Sequence, residues 1–275
     1  MNEELIVKPK NDVVFKTLFV KHTDLLIDFL SYALNMKKEE IANIRITNPE
    51  IMPEKYGDKF VRLDLVLLCS DGTKINVEMQ NSDEGNYKER SVYNCSKMYI
   101  KDVSAGDEYA DISKTVCINI VQFPLFTNAG CVCTIYPTIQ ETGETVTDKW
   151  KIIYFQTKKL PKDEKGGLWD WLKFFTISTE KELDIMENTL TGGVKQAVCV
   201  IRQMNADEEM QEIARMREKA KMAEYSALKK AKGEGLLEKA ISTAKNLISY
   251  GVPIDIIAKS TGLSDDEVKK IQSEQ

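Results

Sequence analysis

The sequence predicts an α/β or α+β fold, with one mixed β-sheet covered by helices and a helical C-terminal half. Two helix-patterned segments open the chain, six short β-rich runs lie between Ile44 and Gln156, and strand signals stop after Pro161 and Gly166-Gly167.

Residues 11–20 place Val14, Phe15, Leu18 and Phe19 at helical spacing, and Asp24 is the expected cap of a second apolar helix through Leu25, Phe29 and Leu30. The β-rich runs are 44–51, 60–69, 74–80, 115–123, 132–136 and 151–156, and they are expected to form one sheet. Between the third and fourth, Tyr87, Val92, Cys95, Met98 and Tyr99 recur at the spacing of a helix that covers that sheet. From Leu168 onward the pattern is helical, with breaks expected at Gly192-Gly193 and at 233–235. A soft boundary near Ser178 divides the chain into a core, 1–178, and a helical C-terminal region, 179–275. The Glu-, Lys-, Arg-, Met- and Ala-rich stretch 207–232 has the composition of an exposed or self-associating helix, so a homo-oligomer through this region is one expected assembly.

The chemistry concentrates in 60–80. Phe60 to Cys69 and Thr73 to Gln80 read as two strands of a β-hairpin joined by Ser70-Asp71-Gly72, with acids embedded in both. If those three residues form the loop, with Gly72 in the left-handed position, Cys69 faces Thr73 and Asp64 falls directly opposite Glu78. A two-residue Asp71-Gly72 turn would shift the register by one and send the two acids to opposite faces. Facing side chains have Cβ atoms about 5 Å apart, so two carboxylates there repel unless something positive lies between them. Gln80, two residues beyond Glu78, projects on the same face, and the Met79 carbonyl between them is a further oxygen donor. Asp64, Glu78 and Met79 together suit Mg²⁺ or Mn²⁺, which prefer oxygen ligands. The bland alternative pairs Asp64 with Arg62 on a solvated edge and leaves Glu78 as an outward strand residue. Against it stands the apolar character of 63–68, a buried strand in which an unpaired carboxylate is costly.

Composition narrows the function classes. No apolar run approaches the roughly 18 residues of a membrane span, and the start, Met1-Asn2-Glu3-Glu4, is acidic and leads into no long apolar stretch, which points to the cytoplasm. The six cysteines include no CxxC pair and most sit in apolar segments, so disulfides and structural zinc are not expected. Cys131 and Cys133 could share a strand face, yet zinc would need two further ligands that the sequence does not supply. A net charge of −5 is the wrong sign for a broad nucleic-acid-coating surface, so any such contact must be local. The single histidine, His22, has no visible partner for a catalytic triad or a metal and reads as a surface residue near a helix junction.

Several of these stretches resemble one family. Asn11-Asp12-Val13-Val14-Phe15-Lys16 is similar to the opening helix of the Rpn-type recombination-promoting nucleases, grouped as PD-(D/E)XK nuclease family transposases; Arg62-Leu63-Asp64 followed by Glu78-Met79-Gln80 resembles their catalytic hairpin, and 87–99 the helix that follows. The resemblance covers about 9–123 well and the helical C-terminal half more loosely. It implies a restriction-endonuclease-like core, with a mixed central sheet flanked by helices, that hydrolyses DNA phosphodiester bonds with Mg²⁺ and little sequence preference. Asp64 and Glu78 would ligate the metal, with Asp12 of the first helix as a third acid facing it; the competing role for Asp12 is as a helix cap. Gln80 departs from the lysine usual at this position. A glutamine can orient water but brings no positive charge, so either this subgroup works that way or Lys88 or Lys97 of the next helix substitutes.

Near the C-terminus, 254–268 reads as a helix, a turn containing Gly262 and a second helix capped by Ser264, which is helix-turn-helix grammar. Its second helix would offer Asp265, Asp266 and Glu267 where DNA wants donors or positive charge, which favours a packing hairpin over a DNA reader. The stretch 215–232, rich in Lys, is a better electrostatic contact, although Glu218 and Glu224 interrupt it. Three functions follow, in this order: a metal-dependent DNA endonuclease, a non-catalytic nucleic-acid-binding or recombination accessory protein that keeps the fold, and a helical interaction protein with the α/β part as scaffold.

Overall fold

Asn11 starts the first helix, α1 (Asp12–Lys21), its side chain accepting from the Val13 N–H at 3.1 Å. The cap is therefore Asn11 and not Asp12, which sits in the first turn where a carboxylate complements the helix dipole. His22 joins α1 to α2 (Thr23–Leu34) and itself stands at the N-cap of α2, so Asp24 lies within the first turn rather than at the cap. The computed structural model describes residues 3–47, 50–51, 61–62, 64–101, 103–104, 106–190 and 192–274, with the backbone alone at 50–51 and 61–62.

After the short α3 (Lys38–Ile41) the chain enters its β-rich part. The expected run 44–51 divides into β1 (Arg45–Thr47) and β2 (Glu50–Ile51), and the run 60–69 into β3 (Val61–Arg62) and β4 (Leu65–Leu68). There follow β5 (Lys74–Gln80), α4 (Tyr87–Ile100), β6 (Thr115–Val121), β7 (Val132–Ile135) and β8 (Trp150–Gln156). The main sheet has six strands in the order β1-β4-β5-β6-β8-β7, and β2 pairs with β3 in a separate two-stranded ribbon. The expectation of one sheet is corrected to that extent. Strands β5, β6 and β8 run parallel in the centre, with antiparallel pairs on both sides, so the sheet is mixed. Every residue of β6 is buried, as expected of a central strand covered on both faces.

One face of the sheet carries Leu65, Leu67, Ile75, Val77, Met79, Ile118 and Ile120 into the larger core with α1 and α2. Phe15 and Phe19 of α1 pack there against Phe29, Trp171 and Phe175, with ring centroids 5.0 to 6.2 Å apart. Trp171 belongs to α5 (Leu168–Phe174), and its Nε1 donates to the buried Asp28 carboxylate at 2.8 Å, which Lys38 also pairs. The opposite face is covered by α4 through Tyr87, Cys95 and Met98.

The chain divides into two compact units, Met1–Arg215 and Met216–Gln275. Helices α6 (Glu180–Thr189) and α7 (Gly192–Ala206), which lie beyond the boundary expected near Ser178, bury Leu183, Val194, Ala197, Val198 and Ile201 in the larger core of the first unit. A long helix, α8 (Glu208–Ser249), follows. In the second unit its Ala244 is buried with Ile257 of α9 (Ile254–Thr261), Leu263, and Val268 and Ile271 of α10 (Asp265–Ser273). Gly262 closes α9 at φ +75°, and Ser264 and Glu267 form a reciprocal capping box on α10. This is the packing hairpin expected there, with Asp265, Asp266 and Glu267 exposed at its start.

Candidate functional site

The β4–β5 hairpin takes the register that the three-residue loop requires. The Cys69 N–H donates to the Thr73 carbonyl at 2.9 Å, Leu65 faces Val77, and Gly72 adopts φ +82°. Asp71 caps the loop from within, its side chain accepting from the Thr73 N–H at 2.8 Å. Strand pairing ends at Leu65, one residue after Asp64. The next step of that register sets Asp64 opposite Glu78, and the side chain of Asp64 turns so that its Oδ2 accepts from the Met79 N–H at 3.0 Å. Odd-numbered residues of β5 direct their backbone groups toward β4, so the carbonyl of Met79 points to the same edge as the N–H that Asp64 takes. The alternative pairing of Asp64 with the Arg62 side chain lies outside the described residues, as do Phe60 and Leu63 of the expected strand.

Alternation along β5 sends Ile75, Val77 and Met79 into the larger core and sets Asn76, Glu78 and Gln80 on the face beneath α4. Glu78 is half-buried. Burial and the nearby charge of Asp64 push its carboxyl up to about 8, against the hydrogen bond from Asn76 and the positive charge of Arg90. Asn76 Nδ2 donates to Glu78 Oε1 at 3.1 Å, while Asn76 Oδ1 is buried without a hydrogen-bond partner. Across the parallel ladder Glu78 faces Asn119, whose Oδ1 accepts from the buried Tyr87 hydroxyl at 2.8 Å. Arg90 stacks on the Tyr87 ring at 4.9 Å and pairs with Glu84 at 2.8 Å. Gln80 Nε2 donates to the Ser82 carbonyl at 2.9 Å, which fixes the amide toward the loop that follows β5.

The structure thus brings together Asp64, Glu78 and the backbone of Met79, with Gln80 on the same strand face as Glu78. Asp12 stands in the first turn of α1 and does not complete a set of three with them: among the described residues no three or more His, Cys, Asp or Glu side chains converge. Of the two lysines considered as replacements for the charge absent at Gln80, Lys88 lies over the Phe126 ring at 5.1 Å. Sequence reasoning missed the cation that pairs with Asp64 among the described residues: Lys16 Nζ stands 3.5 Å from Asp64 Oδ1. Its signal was its place in α1, on the same helical face as Asp12 four residues earlier, but nothing in the spacing joins residue 16 to residue 64. Asn81 helps hold that helix in place, its Nδ2 donating to the Lys10 carbonyl at 2.8 Å. The cysteines do not contribute chemistry here; burial pushes Cys69 and Cys131 up to about 11, which keeps both as thiols.

A mixed sheet clad by helices on both faces, with paired acids on a hairpin at its side, defines an α/β protein of the nuclease type. The chain belongs to the PD-(D/E)XK nuclease family transposases, whose family model matches residues 9–231. No curated protein and no solved structure matches it. The match includes α1, the hairpin, α4 and the rest of the sheet, and runs on into α8. Membership makes the chain nuclease- or transposase-like, and nucleases of this group generally use divalent metal ions. The chemistry of the candidate donors, two carboxylates and the Met79 carbonyl, suits such an ion because all are oxygens, and the charge of Asp64 adds to burial in raising Glu78. Among the described residues no helix is long and apolar enough to cross a membrane.

Proposed function

We propose that the chain is a Mg²⁺-dependent DNA endonuclease, with Mn²⁺ as an alternative ion, that cuts with little sequence preference and serves DNA recombination in the cytoplasm. The observation that carries the reading is the juxtaposition of Asp64 and Glu78: burial, with the added charge of Asp64, pushes Glu78 up to about 8, and a divalent cation would offset both. Asp64, Glu78 and the Met79 carbonyl would hold the ion. When bound, it would supply Lewis acidity for the attacking water and the scissile phosphate.

The residues divide the remaining work. The Met79 N–H orients the Asp64 carboxylate, and Asn76 orients that of Glu78. Gln80, anchored to Ser82, offers its amide to position water on the same face. In the hydrolysis the oxygen of water bonds to phosphorus and one phosphorus–oxygen bond to deoxyribose breaks. One proton of the water ends on the departing deoxyribose oxygen, and the products are a phosphate monoester and an alcohol. A net charge of −5 restricts the DNA contact to a local surface.

A second reading, an accessory protein that binds nucleic acid without cutting it, is favoured by one observation: Gln80 brings no charge to the site. Self-association through the C-terminal helices is part of the proposal, supported by the exposed Met222, Tyr225, Leu228, Leu236 and Leu237 of α8. The test incubates the purified chain with supercoiled plasmid in Mg²⁺, Mn²⁺ or EDTA, beside Asp64→Ala prepared identically. Metal-dependent nicking that disappears in the variant is the expected result. A folded wild type that cuts in no metal transfers the assignment to the accessory role.

A further inference from the structure

We propose that Lys16 supplies the catalytic cation of this site, delivered from α1 to the place where Gln80 brings none; the proposal rests on the nuclease reading above. Cleavage of a phosphodiester builds negative charge on the phosphate oxygens, and two carboxylates held close together disfavour it unless positive charge offsets them. The Lys16 ammonium, 3.5 Å from Asp64 Oδ1, is the side-chain cation that approaches these acids most directly among the described ion pairs. Its side chain is 31% exposed and that of Asp64 18%, so the charge acts partly out of bulk solvent while remaining open to a substrate.

Two other basic groups of α4 have partners of their own, although the charge of Arg90 also reaches Glu78. Arg90 is engaged by Glu84 and by the Tyr87 ring, and Lys88 by the Phe126 ring. Lys16, by contrast, comes from a helix whose position is fixed on two sides. Val14, Phe15, Leu18 and Phe19 bury its inner face, and Asn81, directly after β5, holds the backbone at Lys10. The ammonium is therefore presented from a rigid element, as an electrostatic contribution to catalysis requires. Lys16 acts as charge and hydrogen-bond donor toward the phosphate and transfers no proton.

The geometry also sets Lys16 against any cation on Asp64, since both draw on the same carboxylate. Removing it should therefore weaken cleavage without weakening metal binding, a split that a merely structural lysine would not produce. The experiment compares wild type, Lys16→Met, Lys16→Arg and the double variant Lys16→Met/Gln80→Lys, as full-length proteins. Each is tested for single-turnover nicking of supercoiled plasmid in Mg²⁺, for Mn²⁺ affinity by calorimetry, and for melting temperature. Lys16→Met is expected to lose about 100-fold in rate, the scale of one preorganised donor to a developing oxyanion. Its Mn²⁺ affinity should be equal or higher and its melting temperature close to wild type. Lys16→Arg should keep part of the rate, and Gln80→Lys should restore part of it in the Lys16→Met background.

An active wild type with an equally active Lys16→Met overturns the proposal and leaves the nuclease reading intact. Loss of cleavage, metal binding and melting temperature together, with no recovery from Gln80→Lys, overturns it in favour of a structural ion pair. A folded wild type that binds Mn²⁺ and cuts nothing overturns the nuclease reading, and this proposal with it.

Discussion

Asn119 stands directly across the β5–β6 ladder from Glu78, and its Oδ1 accepts from the Tyr87 hydroxyl at 2.8 Å. That hydrogen bond ties α4 to β6, the neighbour of the strand that carries Glu78. Asn119 is 2% exposed, so no solvent replaces the phenol once it is removed. Tyr87→Phe should therefore destabilise the protein by about 1–3 kcal/mol, the cost of an unpaired buried acceptor. Urea denaturation of the two proteins measures it, and an unchanged midpoint would mean that the bond contributes nothing.

Asp64→Asn keeps an oxygen for the Met79 N–H but removes the charge. Stability should stay within about 1 kcal/mol of wild type, while metal-dependent nicking should fall by at least about 100-fold, as for a lost metal ligand. Thermal melts and plasmid assays on the same preparation separate the two effects. Retained activity would remove Asp64 from the site.

The acidity of Glu78 gives a pH dependence with a defined sign. Its carboxyl titrates near 4.5 in an unfolded chain and at about 8 in the fold, so the folded state binds the proton more tightly. The stabilisation is complete below about 4.5 and is lost as pH rises through about 8. Metal-free wild type should lose stability across that window, and Glu78→Gln should show a flatter profile. Added Mg²⁺ needs the carboxylate, so the melting-temperature gain it confers should grow with pH over the same range. A gain that is constant with pH would mean that Glu78 does not meet the ion.

Gly193 in α7 lies against Asp28. A Cβ there would come within 2.6 Å of the Asp28 Cγ and closer still to its Oδ2. Asp28 cannot retreat without releasing Trp171 Nε1 and Lys38. Gly193→Ala should cost about 1–3 kcal/mol, as overpacking does, despite the better helix propensity of alanine. Equal or greater stability by denaturant melt would show that this carboxylate can move.

Local rules made the hairpin legible. Gly72 supplies the left-handed turn and Asp71 binds back to Thr73, so the loop length, and with it the alignment of Asp64 with Glu78, follows from three residues. Ser264 and Glu267 mark the last helix for the same reason. The cap of α1 is not decided by the sequence, because Asn11 and Asp12 are both good caps in adjacent positions, and the backbone chose the first. Residues 180–206 show only an amphipathic helical pattern, which does not reveal that their apolar faces close over the same core as Phe15 and Trp171. The approach of Lys16 to Asp64 is likewise a product of chain folding, since no local signal spans the distance between them.

The anchoring of α1 sets how small a working piece of this protein could be. Residues 64–101 contain both acids and α4, yet the helix that carries the lysine beside Asp64 is packed through Phe19 against Phe29, Trp171 and Phe175. A hairpin grafted onto another scaffold would carry the two acids and lose the charge. A truncation that stops short of Phe175 would remove part of the support for a helix more than a hundred residues upstream, so the smallest piece that keeps the acids and the lysine together is far longer than the motif that announces them.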